Sequence, residues 1–271
     1  MNSDNIDDVR QSADSYVKEH YWGYLILLGI ISLAIVACIV FSGTFNISNV
    51  PALILPLVFF FVGYCYLWNI AYKKLQHVFM QQFAQTIGYS YTPTIDIKTL
   101  NAKLFTLGNG SGRVLDVMSG IYKTRPVRIF NFDFSIPGGK TPMNITYTVL
   151  EVTIENSLPN IILNSKDKDF VPKAIYKPDN NEHVMLEGDF NDYFSLYVPK
   201  GFETDAYTIF SPDKMVTLID KAKNFSFEFN GNHVYIFSDQ QIETREQMQK
   251  FFDFSDYLYL SFGHSLEIVG K

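Results

Sequence analysis

From Tyr24 to Tyr72 the chain carries no Asp, Glu, Lys or Arg, and this run constrains the fold more than any other feature. Within it, Trp22 to Phe41 is an unbroken apolar stretch rich in Leu, Ile, Val and Ala. A helix of that length covers roughly 30 Å, the thickness of a bilayer's hydrocarbon core. A polar gap, Ser42 to Asn49, leads into a second stretch from Val50 to Ala71. Ser48 and Asn49 are candidate caps there, and Pro51 suits the first helical turn. Pro56 lies further in, where a kink is expected. The pattern predicts a transmembrane helical hairpin over residues 22–71, preceded by a polar tail over residues 1–21.

A cleaved signal peptide fits this start poorly. The first 21 residues hold Asp4, Asp7, Asp8, Asp14 and Glu19 against Arg10 and Lys18, and no small-residue cleavage site follows the apolar run. Charged residues are only 18% of the whole 271-residue chain, and net charge is -6. The deficit is concentrated in the hairpin, so residues 72–271 have the composition of one soluble domain, large enough to bury its own core. Together these features exclude a disordered chain and a multispan transporter.

Orientation follows from Lys and Arg near the span ends. The loop between the spans has none, whereas Arg10 and Lys18 precede the first span and Lys73 and Lys74 follow the second. The positive-inside rule then places both termini and the 72–271 domain in the cytoplasm, at a bacterial inner membrane. Trp22, Tyr24, Trp68 and Tyr72 are the expected aromatics at that interface, joined by Tyr21 and Tyr66. Between Tyr72 and Arg128 eight basic residues face two acidic ones, while from Ile129 onward there are 12 basic and 21 acidic. Lys73, Lys74, Lys123, Arg125 and Arg128 are therefore expected to form a membrane-surface patch meeting anionic lipid headgroups. Neither span holds an Asp, Glu, Lys, Arg or His, which argues against an ion pathway in this hairpin alone. Gly29, Ser32, Ala34 and Ala37 form a small-residue face suited to a second helix, most simply near Gly63.

The domain reads as α+β with a mainly antiparallel sheet. Tyr72, Leu75, Phe79, Phe83 and Ile87 recur at helical spacing, and Gly88 stops the helix. A short helix is expected near Ile97–Phe105. Val114–Tyr122, Val127–Ser135 and Asn144–Glu155 read as three strands of a meander. Asn164 to Glu182 reads as a connecting loop and a seam between sub-lobes, followed by strands near Val184–Glu187 and Tyr193–Val198. Ser211-Pro212-Asp213 opens a helix carrying Met215, Leu218, Ile219 and Ala222. Phe225–Phe229 and His233–Phe237 flank Asn-Gly-Asn, the pattern of a β-hairpin. Thr244 with Gln247 is a capping box for a last helix through Met248, Phe251, Phe252 and Leu258.

Catalytic motifs fail on inspection. Gly138-Gly139-Lys140-Thr141 has the tail of a phosphate loop, but Phe134 and Pro142 stand where that loop needs a Gly and a helix. Gly108 to Gly112 reads as a flexible turn. His20, His77, His183, His233 and His264 form no metal-binding pair, and Glu187-Gly188-Asp189 with Asn191 and Asp192 lacks the spacing of a calcium loop. Cys38 and Cys65 both lie in the spans, so no disulfide or thiolate site is open to the domain. No catalytic, cofactor or metal residue is assigned, and nucleic-acid binding is disfavoured.

Leu186 to Phe190, Tyr193 to Tyr197, the Ile209-Phe210-Ser211-Pro212-Asp213-Lys214-Met215 helix start and the later Phe-x-Phe…Gly-Asn-x-Val-Tyr-Ile segment form a further pattern. It resembles the bacterial domain-of-unknown-function 3137 family. The resemblance implies a paired membrane hairpin ahead of an α+β domain and assigns no functional residue. The expected function is a non-enzymatic, membrane-anchored protein whose domain binds a partner protein, self-associates or supports a membrane assembly. Two other readings are a membrane-tethered hydrolase or transferase using Asp189, Asp192 and Asp205 with a His, and anionic-lipid sensing by the basic juxtamembrane face.

Overall fold

Hydropathy marks only the apolar core of the first helix, and the helix itself starts earlier. In the computed structural model, which describes residues 6–41, 50–110, 112–136, 141–166, 181–238 and 241–268, α1 runs Val9–Phe41 and α2 runs Val50–Thr86. Residues 9–21, expected as tail, are thus helical, because Val9, Ala13 and Val17 recur at helical spacing and are buried. The loop 42–49 and its capping candidates lie outside the described residues. α2 continues through Pro56 without a break. It stops where Gly88 turns left-handed at φ 74°, with the Tyr89 amide on the Ala84 carbonyl at 2.8 Å and that of Gly88 on Gln85 at 3.2 Å. That pair of bonds satisfies two of the carbonyls a helix end leaves open.

Two compact units result: Met1–Gln82 with Glu243–Arg245, and Phe83–Ile242 with Glu246–Lys271. In the first, α1 and α2 are antiparallel neighbours. A Cβ built on Gly29 lies 3.9 Å from the Phe60 ring, and one on Gly63 lies 3.9 Å from Leu28. Ser32 donates its hydroxyl to the Pro56 carbonyl at 3.2 Å, which satisfies the one buried polar side chain of the apolar part of α1. The expected small-residue contact thus forms through Gly29, Ser32 and Gly63, whereas Ala34 faces outward.

The second unit is a seven-stranded antiparallel sheet with flanking helices, the α+β class expected. Strands β1 (Ser90–Ile95), β2 (Arg113–Tyr122), β3 (Arg125–Ile136) and β4 (Met143–Ser165) pair in sequence, so the meander forms and gains a strand ahead of it. β5 (Asn181–Val184) and β6 (Phe194–Pro199) extend the sheet through β6 on β4. Helices α3 (Phe190–Tyr193), α4 (Glu203–Ile209), α5 (Pro212–Ala222) and α6 (Arg245–Ile268) complete the unit. Short 3-10 turns, Ile97–Thr99 and Lys103–Gly110, stand where one short helix was expected. Most of the expected loop between Asn164 and Glu182 lies outside the described residues.

β4, at 23 residues, is the organising strand. One of its edges carries β3 along the first half and β6 at the end, and the other carries β7 (Phe225–Ser238). The hairpin expected at Asn230-Gly231-Asn232 is therefore corrected: both of its arms belong to β7 and pair with β4, not with each other. Phe227 sits opposite Leu163 and Phe229 opposite Ile161, then Val234 opposite Val152 and Ile236 opposite Leu150. Gly231, at φ 58°, absorbs the irregularity, and the register shifts between Thr153 and Ile161 match it on β4.

The alternation of β3 puts Phe130, Phe132 and Phe134 on one face, beside Tyr147 and Val149 of β4 and Tyr235 and Phe237 of β7. Phe105, from the second 3-10 turn, packs among them, edge-on to Phe132 at 5.0 Å and to Tyr235 at 5.4 Å. On α6, Phe252 meets Phe83, Tyr89 and Tyr122, while Phe251 and Phe254 meet Phe225. The Phe-rich strands are core, as alternate aromatics in a sheet most simply are.

Candidate functional site

The helical unit ends in a polar junction. Arg10 makes a two-pronged ion pair with Glu243, Nε–Oε2 2.5 Å and Nη2–Oε1 2.9 Å, and Tyr72 donates its hydroxyl to the same Oε1 at 2.7 Å. Asp8 bridges Thr244 in antiparallel fashion, Asp7 pairs with Arg245 at 2.9 Å, and the Val9 amide bonds the Glu243 carbonyl. Glu243–Arg245, which leads into α6, is thereby pinned to the start of α1 and the C-terminal half of α2. A bidentate Arg–carboxylate pair fixes direction as well as distance.

Of the aromatics expected at a membrane interface, Trp22 and Tyr24 are exposed on α1, at 55% and 67%. Trp68 donates its indole N–H to Asp14 at 2.7 Å and stacks on Tyr72 at 5.2 Å. An apolar ring with one polar contact is what a membrane boundary favours. The basic residues are less uniform. Lys73 is exposed, and Lys74 is held by the Tyr16 hydroxyl at 2.9 Å and lies over its ring. Lys123, which takes a left-handed φ of 55° in the β2–β3 turn, pairs with Asp256 at 2.6 Å. Arg125 is half-buried in the same turn. Arg128, also expected at a lipid surface, has its guanidinium bonded twice to the buried Glu151.

Three buried carboxylates, none singled out by sequence, organise the sheet unit. Glu151 on β4 takes Arg128 and the Tyr235 hydroxyl, at 3.2 Å, and Tyr235 in turn accepts the Asn101 amide at 3.1 Å. His233 Nδ1 comes within 3.1 Å of Glu151 without hydrogen-bonding geometry. The Tyr235 phenol is pushed well above its usual range, first by burial and then by the charge of Glu151. Arg128 is raised despite burial, because its bonds to Glu151 and that charge outweigh the desolvation. Glu228 on β7 accepts the Lys103 and Leu104 amides at 2.6 and 3.2 Å and the Asn160 carboxamide at 2.7 Å, capping the second 3-10 turn.

Asp116, at φ 56° within the β2 bulge, heads a polar line across the sheet. Tyr91 donates to it at 2.8 Å and Asn131 at 3.3 Å. Thr148 donates to Asn131 at 3.1 Å and accepts the Ile242 amide at 3.2 Å. Burial, then Asp116, lifts the Tyr91 phenol well above its usual range. The arrangement ties β1 through β4 to the segment before α6. Such satisfied networks specify a unique packing, and each carboxylate here answers to backbone amides or fixed side chains.

Asp189 and Asp192 are exposed at α3, where Asn191 closes the turn by bonding both the amide and the carbonyl of Leu186. Asp205 lies on α4. Among the described residues no three His, Cys, Asp or Glu come together as metal ligands. The Gly138–Lys140 segment lies outside the described residues. The buried carboxylates escaped sequence reading because an acidic residue between apolar neighbours, as in Phe227-Glu228-Phe229, reads as the solvent side of an amphipathic strand.

No protein-family model matches the chain, and no curated protein matches it in sequence. Among solved structures it is similar to the mycobacterial trehalose monomycolate transport factor A, TtfA, with a TM-score of 0.47 at 13% identity, covering 68% of this chain and 94% of that one. At that score and identity nothing of that protein's activity is carried across. Two helices long and apolar enough to cross a membrane, followed by an α+β unit, are what the chain itself displays.

Proposed function

We propose that the chain is a non-enzymatic, membrane-anchored protein of a bacterial inner membrane, with α1 and α2 as its anchor and residues 72–271 in the cytoplasm. There the domain binds a partner protein, or a second copy of itself, and supports a membrane assembly. The observation that carries this reading is the outward apolar surface of the helix pair. Only 11% of each apolar window is buried, and Ile30, Leu33, Leu55 and Phe61 are 57–65% exposed. A core helix of a soluble fold would hide such side chains, whereas a lipid-facing one displays them. The commitment of Glu151, Glu228 and Asp116 to structural bonds supports a binding role over a catalytic one.

Exposure of Lys73, and of the Lys123 side chain beside its pair with Asp256, favours a second role, contact with anionic headgroups, although Lys74, Lys123 and Arg128 all have partners within the fold. In-membrane cross-linking of the full-length protein, followed by mass spectrometry, tests the main reading. Reproducible cross-links from the 83–268 region to a second protein, or to another copy, are expected. Cross-links confined within single chains would contradict it.

A further inference from the structure

Glu243–Arg245 belongs to the helical unit, although β7 precedes it and α6 begins at Arg245. The chain just ahead of α1 holds it there. The Val9 amide donates to the Glu243 carbonyl at 3.0 Å and the Arg245 amide to the Asp7 carbonyl at 3.2 Å. These two bonds frame the isolated antiparallel bridge of Asp8 with Thr244. Side chains repeat the connection, Arg10 to Glu243 and Asp7 to Arg245. At one end the buried Ile6 donates its amide to Gln82 Oε1 of α2 at 3.1 Å. At the other, Asp8 Oδ1 accepts the Gln11 amide at 3.0 Å and so caps α1. The contacts are numerous but individually weak. A lone bridge has no ladder beside it, and the Arg10 and Asp7 side chains are 67% and 75% exposed, so their ion pairs lie in water. A segment held in this way opens without loss of the core. Glu243 joins both helices to it, because its carboxylate, 13% exposed, takes Arg10 of α1 and Tyr72 of α2 together.

We propose that residues 6–10 are a releasable strap over Glu243–Arg245, a conformational device that reports the packing of α1 on α2 to the leading end of α6. Strapped, the first residues of α6 and the start of α1 protect each other. Released, the Glu243 carboxylate is solvated by water and both segments open together, while the sheet strands keep their pairing. Such coupling is reciprocal, so whatever opens one segment opens the other by the same factor. The strap is independent of the topology and partner proposed above, because every contact it uses lies within the helical unit.

The test is amide hydrogen exchange of the full-length protein in phosphatidylcholine nanodiscs, read by mass spectrometry of its peptides. Arg10→Gln removes the two-pronged pair with Glu243. Exchange is expected to quicken about tenfold in both 6–12 and 243–249, as loss of about one charge-assisted contact implies, with β3 and β4 unchanged. A second variant, with Cys38 and Cys65 replaced, carries Asp8→Cys and Thr244→Cys. Opposed residues in a bridge framed by its neighbours' bonds have Cα atoms about 4.5 Å apart, within reach of a disulfide. Oxidised, this variant is expected to hold both segments at or below the parent's exchange rate even when Arg10→Gln is added, and dithiothreitol is expected to restore fast exchange. Faster exchange in one segment alone would overturn the coupling. Faster exchange that spreads to β3 and β4 would make these contacts part of the general stability of the fold. Failure of the oxidised pair to slow either segment would remove the strap.

Discussion

Glu228 shows what a single side chain does in this sheet. Its two oxygens take the Lys103 and Leu104 amides and the Asn160 carboxamide, and the Leu104 amide is fully inside the fold. An unsatisfied buried donor costs about 1–3 kcal/mol. Glu228→Ala is therefore predicted to destabilise the protein by about 2–4 kcal/mol, with Glu228→Gln losing less because one carbonyl oxygen remains. Thermal unfolding of the full-length protein in detergent measures this, and an unchanged midpoint for Glu228→Ala would contradict the capping role. Tyr91 and Tyr235 supply a second prediction. Both phenols are raised in the folded state, so the folded chain holds protons that the unfolded chain releases. Their contribution is whole below the unfolded tyrosine value of about 10 and is lost as pH rises through the folded values. Stability should thus fall with rising pH above about 10, less steeply in Tyr91→Phe. A variant slope equal to the parent's would count against Tyr91. The role of Glu228 was not legible in sequence, because alternation shows that it opposes the face of Phe227 and Phe229 but not that the opposite face is also covered.

At the scale of elements, β7 separates local from tertiary information. Asn-Gly-Asn between two alternating runs is the same local signal whether the runs pair with each other or with a third strand. β4 decides, because its length offers a template for both runs. That length was hidden by Pro159, which reads as a strand breaker and here lies beside the register shift of Leu158 to Ile161, a bulge position that tolerates proline. The meander, the Ser211-Pro212 helix start and the Thr244 start of α6 were legible because each depends on its own few residues. Gly231 takes a left-handed φ with open space around it, so its replacement tests backbone conformation without a clash. Gly231→Val should cost about 1–2 kcal/mol and Gly231→Asn markedly less. Denaturant unfolding that gives equal losses for the two would contradict the bulge.

For the molecule as a whole, the hairpin was the most legible part, since an uncharged run of bilayer length leaves few alternatives in a polypeptide. The polar junction at its soluble end was not legible. Arg10, Tyr72 and Glu243 are far apart in sequence and are joined only by the fold. The central claim is that the helix pair anchors the chain with the sheet unit in the cytoplasm. The direct measurement is sidedness. With Cys38 and Cys65 replaced, no native thiol remains, and Asn232, exposed on β7, takes a single cysteine. Intact cells treated with a membrane-impermeant thiol reagent should leave Asn232→Cys unlabelled until lysis. Labelling in intact cells would reverse the topology, put the sheet unit outside the cytoplasm and remove the inner-leaflet role of Lys73 and Lys123.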